Sequence, residues 1–196
     1  MRATGTIRAL VIAVAAVVAL GACSNGGGGG GSEGEQTVSA QTFVDTVCGE
    51  LSTWLTALQD GGDAMQEQIA GADPAKAREL LTGYLDDAIG ATQDAAAAIG
   101  EAGAPDVDGG GTIAQAIIGV LGRVEQVFTA ARDKVADLPD DRAQFQAGVA
   151  EIGADITSAF SENPLGDLQE NQALSEAAAN SQACQEMNAM SSAPAP

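Results

Sequence analysis

The stretch QTFVDTVCGELSTWLTALQ, residues 41–59, decides the fold. Phe43, Val47, Leu51, Trp54 and Leu58 recur at helical spacing, and Val44, Cys48 and Leu55 widen the same stripe. Apolar residues three and four apart share one face of an α-helix, whereas a half-buried strand alternates every second residue. The pattern predicts a first helix with one broad buried face. It ends near Gln59 or continues past Gly61 and Gly62 through Met65 and Ile69.

The same periodicity returns downstream. Asp73-Pro74 is a helix-start signal, with Asp as N-cap and Pro at the first helical position. The stripe that follows is Ala77, Leu81, Tyr84 or Leu85, Ala88, Thr92, Ala95 and Ile99, ending near Gly100. After a loop with Pro105 and the glycines 109–111, Thr112 with Gln115 reads as a capping box. A third helix carries Ile113, Ile117, Leu121, Val124, Phe128, Ala131 and Val135, and stops at Leu138-Pro139. Asp141 with Gln144 offers a similar start for a fourth, which uses Phe145, Val149, Ile152, Ile156 and Phe160. A fifth runs from about Leu165 to Met187 through Leu174, Ala178 and Cys184, with Pro164 as a break or a kink. No segment reads as a strand. The expected fold is an all-α antiparallel bundle of four to five helices, over residues 41–190, with a disordered tail at 191–196.

The expected interior is small-grained, with Ala abundant and aromatics at only 3%. Gly90, Gly119, Gly122, Gly148 and Gly153 fall inside helices. Each costs roughly 0.5–1 kcal/mol relative to Ala unless close packing offsets it. Gly119 and Gly122 with Ala116 are one candidate for such packing, and drift toward GC-rich codons is the other explanation.

Upstream of the bundle the chain changes character. Arg2 and Arg8 precede an unbroken apolar run from Ala9 to Leu20, and Gly21, Ala22 and Cys23 follow. A basic start, a short apolar core and small residues are the layout of a secretory signal over residues 1–22. The run falls short of the roughly 20 residues that cross a bilayer. Two cleavages fit: after Gly21 by the small-x-small rule, or before Cys23. Residues 23–40 hold the glycine run Gly26 to Gly31 and read as a flexible tether, with a reach of roughly 20–25 Å. The net charge of −19 becomes more negative once Arg2 and Arg8 are removed. Such a surface repels nucleic acid and anionic headgroups, so no nucleic-acid partner is expected.

Chemistry is mostly excluded by what is missing. The sequence has no histidine, which removes the usual general base and the commonest metal ligand. No G-x-S-x-G elbow or Walker loop occurs. Asp106-Val107-Asp108-Gly109 fails as a calcium loop, because its fifth position is Gly110 and its twelfth Ile117. The pairs Asp86-Asp87, Asp140-Asp141 and Asp60 with Asp63 read as caps and solvated loops. No catalytic residue, cofactor or metal site is expected, and the chain is read as not an enzyme. Trp54 reads as a core anchor, and Tyr84 as a core-edge residue or a half-exposed contact.

The tetrad Leu20-Gly21-Ala22-Cys23 resembles a lipobox, the recognition element of bacterial lipoprotein signals. The resemblance implies that the Cys23 thiol is diacylated and becomes the mature N-terminus. With Cys23 so occupied, Cys48 and Cys184 are left to pair as one disulfide, in the oxidising compartment that export implies. Lacking C-x-x-C spacing and lying on apolar faces, they read as structural and not redox-active.

The whole chain is similar to the alanine-rich helical lipoproteins of high-GC Gram-positive bacteria. The matching residues are Leu20 to Cys23, Cys48-x-x-Leu51-x-x-Trp54, Pro105-x-Val107 and Ala183-Cys184. The resemblance implies placement in the cell envelope, lipid-anchored at the extracytoplasmic face of the membrane. The expected function is a non-catalytic interaction or structural module, with an unknown envelope protein as partner. The alternative is a carrier or sensor of a small apolar ligand between helices, which the close-packing Ala and Gly faces disfavour.

Overall fold

The computed structural model describes residues 37–159 and 171–191. Along them β1 (Thr37–Val38) leads into α1 (Ala40–Ile69), α2 (Pro74–Glu101), β2 (Ala104–Pro105), α3 (Gly110–Ala136), α4 (Arg142–Ala159), α5 (Gln172–Asn180) and α6 (Gln182–Ser191). The architecture is all-α, as the apolar stripes predict. The signal, Cys23, Phe160 and the Pro164 junction lie outside the described residues.

Side chains placed at the helix starts supply the missing hydrogen-bond partners of the first turns. The Ser39 hydroxyl accepts from the Thr42 N–H at 3.1 Å, and the Asp73 carboxylate from the Lys76 N–H at 2.9 Å, with Pro74 opening α2. Asp141 accepts from the Gln144 N–H at 3.0 Å and Asn171 from the N–H groups of Ala173 and Leu174. These bonds satisfy donors that a helix cannot satisfy internally.

α1 runs unbroken through Gly61 and Gly62. The reason lies on α2: the Tyr84 ring packs so closely that a Cβ on Gly61 would sit 3.3 Å from two ring carbons. Its hydroxyl donates to the Leu58 carbonyl at 3.3 Å, so Tyr84 is the half-buried edge of the core. Burial raises the pKa of its phenol.

Four expectations need correction. α3 starts at Gly110, with Gly109 at the N-cap in the left-handed region (φ 75°) and no side-chain cap. Thr112 therefore lies inside the first turn, and the Thr112–Gln115 box does not set the start. Gly110 is required because a Cβ there would strike the Pro105 carbonyl. Second, a short parallel pair exists, Thr37 against Ala104 and Val38 against Pro105, extended by the Asp106 N–H to the Val38 carbonyl at 2.8 Å. Two residues per strand carry no alternation to read. Third, a Cβ on Gly122 would meet nothing within 4 Å and one on Gly119 only the Arg123 side chain, so these glycines make no close helix contact. Fourth, the last helix is two. Ser181 adopts an extended conformation (φ −82°, ψ 122°) between α5 and α6, raising the count to six among the described residues.

α2 packs against α1 on one side and α3 on the other. α4 lies on α3, while α5 and α6 lie on the N-terminal part of the bundle formed by α1. The stripes meet in one core that includes Phe43, Val47, Ile99, Ile117, Phe128 and Leu174. Judged by length and composition alone, α3 is apolar enough to cross a membrane. Its stripe from Ala114 to Val135 is buried among the other helices, while Ile113, Ile118, Val120 and Val127 beside it are half-buried.

Trp54 is the core anchor expected. Its indole N–H donates to the Thr92 hydroxyl at 2.9 Å, and that hydroxyl donates onward to the Ala88 carbonyl at 2.7 Å. Thr92 is 1% exposed, so removing the acceptor strands a buried donor in a low-dielectric site. Thr92→Val should therefore lower unfolding free energy by about 1–3 kcal/mol, whereas Thr92→Ser should retain most of it. Urea denaturation followed through Trp54 fluorescence checks this; equal stability of the two variants contradicts it.

Candidate functional site

Two of the three cysteines predicted as site residues are brought together. Cys48 on α1 and Cys184 on α6 form a disulfide, with Cα atoms 4.9 Å apart, and close a loop of 136 residues. Both are buried. A reductant reaches the bond only when α6 lifts from α1, which fits a structural staple. Cys23 lies outside the described residues.

A polar clasp sits beside the staple. Ser181, itself 1% exposed, caps α6 by accepting the Cys184 N–H at 3.3 Å. Its hydroxyl also hydrogen-bonds to Asp45, one turn before Cys48 on α1. That bond, and next the one from Gln41 at 3.1 Å, hold the Asp45 carboxyl below its ordinary value of 3.8. The break at Ser181 thus places a capping hydroxyl against the helix that α6 is bonded to. The sequence signal was a Ser three residues before Cys184, without glycine or proline to announce a break.

The acidic pairs are not gathered into a site. Asp86 pairs with Arg132 at 3.2 Å, Asp140 with Arg78 at 2.9 Å, and Asp141 caps α4. Asp60, Asp63, Asp87, Asp106 and Asp108 are exposed. Among the described residues no group of three or more His, Cys, Asp or Glu side chains is placed to hold a metal ion.

What sequence reasoning missed is a cleft of about 420 Å³ at the corner between α1 and α2, facing α4. The corner turns on Gly71 in the left-handed region (φ 82°) and contributes Ile69, Ala72, Pro74 and Ala77 to one wall. α4 supplies the other with Arg142, Phe145, Gln146, Val149 and Ala150. Those α4 positions are spaced as i, i+3, i+4, i+7 and i+8, which is one helix face. The stripes containing Ile69 and Phe145 were visible in the sequence; their meeting at an unfilled corner was not, because it depends on how far α4 stands from the turn. Behind the wall, the Arg78 guanidinium lies 5.9 Å from the Phe145 ring centroid and donates to the Leu138 carbonyl at 2.6 Å. At the opposite end of α2 a second recess of about 450 Å³ is bounded by Ile99, Glu101, Ala104, Gln115 and Ile118, with a wall as polar as it is apolar.

The chain matches no known protein family, no curated protein and no solved structure. Its functional reading therefore rests on its own residues and geometry.

Two outcomes follow from the staple and the clasp. Replacing both Cys48 and Cys184 by Ala should cost about 2–5 kcal/mol in denaturant unfolding, since the closed loop is long; an unchanged midpoint contradicts a structural role. Asp45 has a lowered pKa in the folded state, so its contribution is present above the unfolded value of 3.8 and is lost as pH falls through the folded value. Between neutrality and strongly acidic pH, wild type should lose more stability than Asp45→Asn. Parallel pH profiles for the two proteins would show that the clasp does not form.

Proposed function

We propose that this protein is a lipid-anchored, non-catalytic module of the cell envelope, held at the extracytoplasmic face of the membrane by acylated Cys23. The observation that carries the reading is the buried Cys48–Cys184 bond. Structural disulfides of this kind belong to oxidising compartments outside the cytosol. The lipobox residues Leu20 to Cys23 add the anchor, and the glycine run 26–31 adds reach. A body of net charge −19 on such a tether stands off anionic headgroups and favours a partner with a basic or neutral face. In this reading the bundle binds another envelope protein or serves a structural role there.

A second reading, carriage or sensing of a small apolar ligand, is favoured by one specific observation. The cleft at the α1–α2 corner has the size and the mostly apolar wall of small-molecule sites, which run roughly 300–1,000 Å³. The close Ala and Gly packing expected to disfavour such a cavity is absent at Gly119 and Gly122.

The anchor is tested by growing the native host with an alkyne-tagged fatty acid. Wild type should take up the tag and partition into detergent, and Cys23→Ser should do neither. An untagged wild type, released after cleavage at Gly21, would sink the membrane placement while leaving export intact.

A further inference from the structure

We propose that the cleft between the α1–α2 corner and α4 binds an amphiphile with an apolar body and a single carboxylate head, the head being held by Arg142 and Gln146. The proposal rests on the second reading above and gives it a ligand class and a polarity.

The wall is divided by chemistry. Ile69, Ala72, Ala77, Phe145 and Val149 offer apolar surface, with Ala77 and Phe145 already buried. The polar side chains of the lining, Arg142 and Gln146, stand one turn apart on α4. Side chains at i and i+4 on a helix are neighbours, so both can reach one head group. A guanidinium presents paired donors that match a carboxylate in two parallel bonds, and the amide adds another donor.

The state of Arg142 makes the pairing specific. Among the described residues Lys76, Arg78, Arg132 and Lys134 each contact a carboxylate, on Glu79, Asp140, Asp86 with Asp133, and Asp155 respectively. Among the described residues the Arg142 side chain makes no ion pair, and the Gln146 side chain, on the same helix, makes no hydrogen bond. In a chain with 27 acidic and 8 basic side chains, an exposed guanidinium without an ion pair among the described residues, at the edge of an apolar cleft, is a counter-charge suited to an anionic head. The acids that precede Arg142 in sequence are otherwise engaged: Asp141 caps α4, and Asp140 is taken by Arg78. Their charges still oppose further negative charge nearby, which selects a monoanion over a phosphate dianion.

Isothermal titration of the purified, folded mature chain with decanoate, decanol and decyltrimethylammonium, each below its micellar concentration, tests this. Decanoate should bind best and the cation worst. Arg142→Gln should weaken decanoate by about tenfold, the scale of a charge-assisted hydrogen bond, and leave decanol within about twofold. Ala150→Trp, at an exposed position whose new ring would occupy the cleft, should abolish binding of both while leaving the circular-dichroism melt unchanged. Decanol and decanoate binding equally, with Arg142→Gln altering neither, would overturn the head-group assignment and leave the carrier reading standing. No binding by any probe would overturn both, reducing the cleft to a packing gap.

Discussion

The N-terminal half of α1 has more apolar surface than any single neighbour can cover. Phe43, Val44, Val47, Cys48, Leu51 and Trp54 occupy a face wider than one stripe, and all are buried. Part of that face goes against α2, and part must wait for α5 and α6, which come from the far end of the sequence. A long loop makes such a contact entropically expensive to hold open-ended, and the Cys48–Cys184 bond removes much of that expense from the unfolded chain. The small core elsewhere is tolerable because this seam is covalent. Ser181 and Asp45 align the seam but do not replace it.

The bundle divides into regions of different firmness. α1, α2 and α3 run long and share the central stripes, and the buried Trp54–Thr92–Ala88 chain pins α1 to α2. α4 is attached more lightly. Phe145 and Ile152 are its buried side chains among the described residues, with Val149 and Ile156 half-buried. Its further ties are the exposed pair between Lys134 and Asp155 and the position of Arg78 over Phe145. Segments with few buried contacts open at lower free energy than the core. The cleft lies on this softer side.

Legibility in the sequence followed the number of residues that share in a signal. The four stripes on α1 to α4 were readable because each repeats over several turns, and the N-caps Asp73 and Asp141 because a short polar side chain there has one good use. The disulfide was readable only through the lipobox resemblance, which implied that Cys23 is occupied and left Cys48 and Cys184 to pair. Features resting on one residue were not. The break at Ser181 interrupts a pattern that continues on both sides, so periodicity alone bridges it. The Val38–Pro105 pairing is decided by tertiary geometry over two residues, and the same geometry moves the start of α3 from Thr112 to Gly110. The cleft was illegible for another reason: apolar residues at the ends of stripes look the same whether a neighbour fills the space beside them or not.

Linking first helix to last also sets an order of events. A chain made or threaded from its N-terminus presents the wide face of α1 at once, and the segment that completes its cover emerges near residue 184. Until then α1 can pair with α2, but the seam stays open and Cys48 stays a thiol. The seam can close only once the chain has reached Cys184, 136 residues after its partner. Placement of the cysteines therefore acts as a timer, keeping the seam unfinished until the last helix is present.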